Sequence, residues 1–289
     1  MRFAISTAFS DPGHWLGLAR AADESGWDYL LVSDHVVHPE TIASPYPYTP
    51  DGSPRWESPT PWPDPWVAVG AMAAVTQRVR FCTGIYVLPL RNPFVVAKAV
   101  GTAAVFSGDR VTLGIGMGWM KEEFELLEQP FRARGRRADE MLAVMRKLWT
   151  GDMVEHHGEF YDFPRLRMSP APRKPIPIVV GGLSEPALRR AARLGDGWIS
   201  DIHTTDELRE IAATLRRYRA ECGRAGEPFE LIAAASDAFD ADGYRRLADA
   251  GVTCLQTMPW FFYGGSMDDL GQKVDGIRRF ADEIFPKLR

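Results

Sequence analysis

The sequence predicts an α/β fold, a (β/α)8 TIM barrel with insertions after strand 2 and between strands 4 and 5. Three observations carry this. Short β-rich runs alternate with helix-period stretches along the whole chain. The runs are apolar throughout rather than alternating with polar residues, as parallel strands covered on both faces are. Eight such units in a chain of 289 residues favour a closed barrel over an open doubly wound sheet.

Each unit has its own local signals. Residues 2–6 form the first strand. Asp11 and Pro12 offer an N-cap with proline in the first turn, Trp15, Leu16, Ala19 and Ala22 repeat on one helical face, and Gly26 closes the helix. The second strand spans 29–33. A helix over 62–76 leads into a strand over 79–88, and a helix over 92–106 into a strand over 111–115. Residues 121–149 read as a longer helical region broken near Pro130 and Gly135. An apolar strand over 176–180 precedes a helix over 185–194. Strands over 198–200, 231–235 and 254–257 complete the set, with helices near 206–222, 242–250 and 268–285 between and after them.

Two segments interrupt the rhythm of this single domain, residues 1–289. Residues 36–61 hold a series of prolines among Tyr46, Tyr48 and Trp56. A loop this long is disordered or functional, and its aromatics predict a packed lid over the C-terminal face. Residues 120–175 form a helical and hairpin insertion. Its stretch 155–160 predicts a small hairpin expected to cover a barrel end.

Composition excludes several classes of partner. Lys+Arg 34 against Asp+Glu 38 gives a net charge of −4, without the basic footprint that nucleic acid requires. The longest apolar run, 66–75, is about half a membrane span. Cys82, Cys222 and Cys254 are sparse, odd in number and match no zinc spacing. With no signal-peptide core before Asp11 and Pro12, the expectation is a soluble cytoplasmic protein without a membrane partner.

In a barrel the chemistry sits at the C-terminal ends of the strands. Those positions are rich in glycine and short polar groups and poor in clustered carboxylates. Gly181, Gly182, Leu183 and Ser184 join an apolar strand to a helix that starts with Glu185 and Pro186. Bare backbone, a capping serine and free N–H groups suit an anion such as phosphate. A tight capped turn uses the same residues. Gly114, Gly116 and Gly118 imitate a dinucleotide fingerprint, but the third glycine falls too early and no acidic residue follows at the expected distance. They either let a flat ligand lie on bare backbone or mark a bulge.

His35 ends the second strand, where a histidine can act as acid or base near neutral pH. Asp34 is a candidate to fix its tautomer, against the alternation of side chains along a strand. His38 suggests a metal pair, but the further carboxylates and histidines of a metal-dependent barrel are missing from the strand ends, so no metal is expected. Arg132, Arg134, Arg136 and Arg137, followed by Asp139 and Glu140, read as a solvated helix face with local ion pairs. A phosphate-binding aldolase or isomerase would need a lysine at a strand end, and none is there.

Several stretches together make the chain resemble the bacterial luciferase-like monooxygenase superfamily, and within it the class that uses the deazaflavin coenzyme F420. They are Ser33-Asp34-His35, Leu90-Arg91-Asn92-Pro93 entering a helix, Gly108-Asp109-Arg110-Val111 leading into 114–119, 180–184 with Ala187 and Ala191, and Gly195-Asp196-Gly197-Trp198. The resemblance covers essentially the whole chain. It implies a tricyclic ring over the strand ends, touched by Ser6, Thr83, Gly84, Ile85, Gly116, Met117 and Gly118, with a non-prolyl cis peptide between Gly84 and Ile85. It implies a phosphate by Gly181, Gly182, Leu183 and Ser184, with Gly197 and Trp198 in the cofactor-binding set. Catalytic positions would be His35 as acid or base, Asp34 beside it, and Trp119 in the cavity wall. Some dehydrogenases of this family carry a carboxylate just after the fourth strand, where this chain has Met117. That weakens a sugar-phosphate reading, with Glu122 and Glu123 as substitutes or simply as the start of a helix.

The activity implied is hydride transfer between F420 and a small organic substrate. An FMN-dependent monooxygenase, fed reduced flavin by a separate reductase, is the alternative. A non-catalytic flavin-binding protein is the second. The family likeness also implies a homodimer.

Overall fold

The computed structural model describes residues 1–288. The strands are β1 (Arg2–Ser6), β2 (Tyr29–Val32), β3 (Arg80–Thr83), β4 (Tyr86–Val87), β5 (Val111–Gly116), β6 (Val154–His157), β7 (Asp162–Leu166), β8 (Ile178–Gly181), β9 (Gly197–His203), β10 (Glu230–Ala235) and β11 (Cys254–Thr257). The helices are α1 (Trp15–Glu24), α2 (Pro65–Ala73), α3 (Pro93–Ser107), α4 (Lys121–Leu126), α5 (Arg134–Leu148), α6 (Glu185–Leu194), α7 (Thr205–Glu221), α8 (Ala241–Ala250) and α9 (Leu270–Leu288). Parallel neighbours run in the order β3-β2-β1-β11-β10-β9-β8-β5-β4, and β3 also pairs with β5. That last pairing closes the sheet. Since β4 continues β3 past a break, the fold among the described residues is the predicted (β/α)8 barrel.

Alternation along each strand explains why the sequence shows no polar face. On β1, Ala4 turns inward to join Leu31, Cys82, Val179, Ile199 and Ile232 inside the barrel. Phe3 and Ile5 turn outward and pack under the helices with Leu30, Phe81, Leu113 and Trp198. Both faces are dry, so both are apolar. Helix starts are set by side-chain caps: Asp64 accepts the Trp66 and Val67 N–H groups, Asn92 that of Phe94, and Thr204 with Glu207 forms a reciprocal capping box.

Several expectations need correction. The strand over 79–88 is broken at the peptide between Gly84 and Ile85, which is cis, as the family likeness implies. Asp11 and Pro12 begin a short 3-10 turn, and α1 starts only at Trp15. The gap in 121–149 lies over 127–133, and Gly135 is inside α5. The β6–β7 hairpin covers no barrel end. Its apolar side lies on the outer helices, where Phe163 packs edge-on against Phe94 at 5.0 Å and Glu140 of α5 accepts the Phe160 and Tyr161 N–H groups.

The arginine run is a solvated face only in part: Arg132 and Arg136 are exposed, while Arg134 and Arg137 turn inward. Arg137 is buried and donates to the Pro89 carbonyl, while Arg134 donates to the carbonyls of Gly118 and Phe131 at 3.1 and 3.0 Å. Arg136 pairs on the surface with Glu159. The cause is that α5 packs over the segment after β4, so carbonyls at loop ends stand where solvent was expected. No helix among the described residues is long and apolar enough to cross a membrane.

Candidate active site

The C-terminal ends of the strands gather most of the polar groups singled out in the sequence. Beyond β2 the chain passes Ser33 and then sends Asp34 and His35 in opposite directions. The Asp34 carboxylate meets the Arg91 guanidinium at 2.8 Å and accepts the Val87 N–H at 2.9 Å, fully buried. It is therefore not the partner of His35, as alternation along the chain demands. That partner is Glu123, in the first turn of α4, whose Oε2 lies 3.0 Å from His35 Nδ1. Its Oε1 accepts the Val36 N–H at 2.7 Å, and the side chain is 2% exposed.

A carboxylate can only accept, so Nδ1 of His35 carries the proton of this hydrogen bond and Nε2 is the nitrogen left for a further partner. Nε2 itself meets no partner among the described residues. Glu122, the preceding residue, holds the long loop: its Oε1 accepts the N–H groups of Ala43 and Ser44 at 2.8 and 3.0 Å. Burial would raise its carboxyl, but these donors outweigh that and hold it below the usual carboxylate range.

Around His35 stands a set of aromatic rings drawn from distant segments. Trp56 lies 4.9 Å from the His35 ring, Trp62 5.3 Å and Trp119 6.2 Å, centroid to centroid. Tyr46 packs edge-on against both Trp56 and Trp119. The Trp62 indole N–H is buried without an acceptor among the described residues. Loop 36–61 contains no helix or strand, yet it packs through these rings. Trp62 belongs to this cluster rather than to a helix, because α2 begins only at Pro65.

The glycines at the mouth are not open floor for a ligand. A Cβ on Gly114 would lie 1.8 Å from the Thr83 carbonyl oxygen, and one on Gly116 2.2 Å from Ile85 Cδ1. Gly181 likewise backs Ile85, with 3.0 Å to its Cγ2. Bare backbone here lets Ile85 settle into the barrel mouth, half exposed, as an apolar shelf. Thr83 is buried and spends its hydroxyl on both backbone groups of Gly114. Gly118 takes φ 77, and any side chain there would strike Phe124 and Val87.

Ser6 and Met117 sit at the ends of β1 and β5, buried and half-buried. Gly182 has φ 114, and Ser184 occupies the N-cap of α6 without a side-chain cap bond, contrary to expectation. Among the described residues the Ser184 hydroxyl and the Leu183 and Ser184 N–H groups are uncommitted. Trp198 is fully buried, and its indole N–H donates to the Gly182 carbonyl at 2.9 Å, so it positions this turn from behind. Gly197 is not brought to the mouth. It starts β9 at the opposite end, where a Cβ would strike the Glu230 carbonyl oxygen at 2.6 Å.

An apolar shelf at Ile85 beside uncommitted donors at 183–184 fits a flat ring system carrying a phosphate, which describes a deazaflavin and FMN equally. Next to Leu183 lies a pocket of about 320 Å³ between the long loop and β9, lined by Tyr48, Arg55, Asp201 and His203. Arg55 pairs with Asp201 across it and donates to the Tyr48 carbonyl. Burial lowers the His203 imidazole, more than the nearby carboxylates of Glu207 and Asp201 raise it.

Sequence reasoning named His35, Trp119 and the glycine turns, but missed the roles of Trp62 and of the Arg55–Asp201 pair. The one signal for Glu123 was its place, with Glu122, in a helix just after the glycine-rich end of the fourth barrel strand.

The chain is 40% identical to an uncharacterized protein of Mycobacterium tuberculosis over the full length of both. It is 30% identical to an F420-dependent glucose-6-phosphate dehydrogenase of Nakamurella multipartita, over 94% of this chain and 76% of that one. Its fold superposes on a monooxygenase from Streptomyces bottropensis with a TM-score of 0.77 at 20% identity, each chain fully covered. An F420-dependent secondary alcohol dehydrogenase gives 0.76 at 18% identity, again over both whole chains. The oxygenating component of 3,6-diketocamphane monooxygenase from Pseudomonas putida, bound to FMN, gives 0.74 at 16%, covering 100% of this chain and 99% of that one. The profile of the luciferase-like monooxygenase family matches residues 3–282, and the chain belongs to that family.

Proposed function

We propose that this protein is an F420-dependent oxidoreductase that interconverts a small carbonyl compound and its alcohol. The observation that carries the reading is the buried Glu123–His35 pair, which leaves Nε2 of His35 free at the barrel mouth. When bound, the deazaflavin supplies or accepts a hydride at the substrate carbon.

The chain's own residues do the rest. Ile85 bears the flat ring, and Leu183 with Ser184 binds the phosphate through N–H and hydroxyl donors. Nε2 of His35 takes the hydroxyl proton as an alcohol is oxidised, and returns it to the oxygen as a carbonyl is reduced. Glu123 stabilises the imidazolium in between, as a buried orienting carboxylate does. The loop over 36–61 covers the rings and excludes water.

F420 is favoured over FMN by the relative of 30% identity across 94% of this chain. The seat at 183–184 would serve either. A second copy of this chain is the expected partner, docking on Val67, Val95 and Phe106, which are 75%, 65% and 76% exposed on the adjacent helices α2 and α3.

The test is a fluorescence titration of the purified protein with F420 and with FMN, oxidised and reduced. Selective F420 binding supports the proposal. Selective FMN binding overturns it in favour of an oxygen-using monooxygenase with a separate reductase.

A further inference from the structure

We infer that the substrate is an uncharged, flat, conjugated or aromatic carbonyl compound or its alcohol, held among Trp56, Trp62, Trp119 and Tyr46 beside His35. The inference deepens the hydride-transfer reading and rests on it for the word substrate, but its physical content is a binding preference.

The first argument is charge. Of three guanidinium groups that reach the mouth and its loop, two are neutralised by carboxylates and the third spends its donors on carbonyls. Arg91 is held by Asp34, Arg55 by Asp201 and the Tyr48 carbonyl, and Arg134 by the carbonyls of Gly118 and Phe131. The carboxylates of Glu122 and Glu123 stand on the same side. A phosphorylated or carboxylated ligand beside His35 would bring its charge up to these carboxylates while Arg91 and Arg55 are already paired, and burying an unpaired anion is costly. Glucose 6-phosphate, the substrate class named for the relative from Nakamurella multipartita, is a poor fit to these walls.

The second argument is the walls themselves. The rings meet tilted or edge-on at 4.9 to 6.2 Å, with Trp56 touching His35, Tyr46, Trp62 and Trp119 at once. Trp56 is carried on a loop without helix or strand. A flat ring entering beside it exchanges one aromatic contact for another, whereas a sugar gives up such contacts without replacing them. The third argument is the polar residue of the cage. Among the polar groups there without a partner among the described residues are His35 Nε2 and the buried Trp62 N–H. Both stand where a single oxygen could meet them.

The experiment compares acetophenone, 4-acetylbenzoate and glucose 6-phosphate by calorimetric titration of the wild-type protein, first without cofactor and then saturated with F420. Acetophenone and 4-acetylbenzoate share a ring and a ketone, and differ by one carboxylate. The expected result is acetophenone binding at least about tenfold tighter than 4-acetylbenzoate, with no heat from glucose 6-phosphate. Trp119→Phe should keep that preference. Trp119→Ala should weaken acetophenone by about tenfold, with its thermal midpoint checked against Trp119→Phe. Equal or tighter binding of the carboxylate, or binding of glucose 6-phosphate, overturns the inference. Because the preference is read without cofactor, a failure of F420 to bind is scored separately, against the proposed function alone.

Discussion

Replacing Glu123 with glutamine is expected to invert the tautomer of His35 while leaving the shape of the mouth intact. In the native protein Oε1 of Glu123 accepts the Val36 N–H at 2.7 Å, and Oε2 faces His35 Nδ1 at 3.0 Å. A glutamine must keep its one oxygen on the Val36 N–H, since that donor needs an acceptor. Its NH2 group then faces Nδ1 and can only donate to it. Nδ1 loses its proton, Nε2 gains one, and the lone pair that would accept a substrate proton is gone.

The hydrogen-bond count is unchanged, so unfolding stability should fall by no more than the difference between a charged and a neutral bond, about 1 kcal/mol. A positioned general base contributes about 10²–10⁴ in rate, so kcat for the proposed alcohol oxidation should fall by at least about 100-fold with KM little changed. The direct assay is ring nitrogen NMR, with His35 picked out from the six histidines by His35→Gln. Nδ1 should be the protonated nitrogen in the native protein and Nε2 in the variant. A variant that keeps Nδ1 protonated, or turns over as fast as the native enzyme, would refute the role given to Glu123.

Other changes separate the shelf, the buried ion pair and the scaffold. Gly116→Ala places a methyl 2.2 Å from Ile85 Cδ1, a flexible tip, so Ile85 should be driven off its seat at a cost of about 1–3 kcal/mol with weakened cofactor binding. Urea unfolding and cofactor titration check both, and unchanged affinity would remove Ile85 from the cofactor seat. Asp34→Ala strips Arg91 of its counter-ion and should cost about 3–5 kcal/mol in urea unfolding, with the His35 tautomer unmoved. For Asp23, burial would raise the carboxyl, but the N–H groups of Val79, Arg78 and Gln77 outweigh it and hold it below the usual range. A depressed folded value means its stabilisation is complete above the unfolded value, about 3.9, and is lost as pH falls through the folded one. Asp23→Asn should therefore flatten the acid limb of stability against pH, read from urea midpoints between about pH 3 and 6.

The sequence by itself determined what depends on short-range physics. Strands buried on both faces announced themselves by lacking a polar side, and with the count of eight strand–helix units that led to the barrel. Chain direction then placed His35, Gly116 and Gly181 at one end, because strand ends are countable once strands are recognised. A closing glycine such as Gly26, with φ 76 just past the end of α1, acts within one turn, so it too was readable. The family likeness added the cis bond between Gly84 and Ile85, which no local pattern encodes.

Tertiary structure decided everything that joins distant segments. Glu123 meets His35 across 88 positions, and Arg91 meets Asp34 across 57. No spacing rule links such residues, since their meeting depends on barrel closure and on the path of the loop over 36–61. Gly197 shows the same point from the other side: its motif is intact, but a strand that starts rather than ends with glycine puts it at the wrong end of the barrel. The glycines of β5 could be read as bare floor or as a bulge until the opposing strand was in place, with Thr83 and Ile85 filling the space. Local sequence specifies backbone conformation and which faces are dry, while the partner of a buried charge is chosen by whatever the closed fold brings within 3 Å.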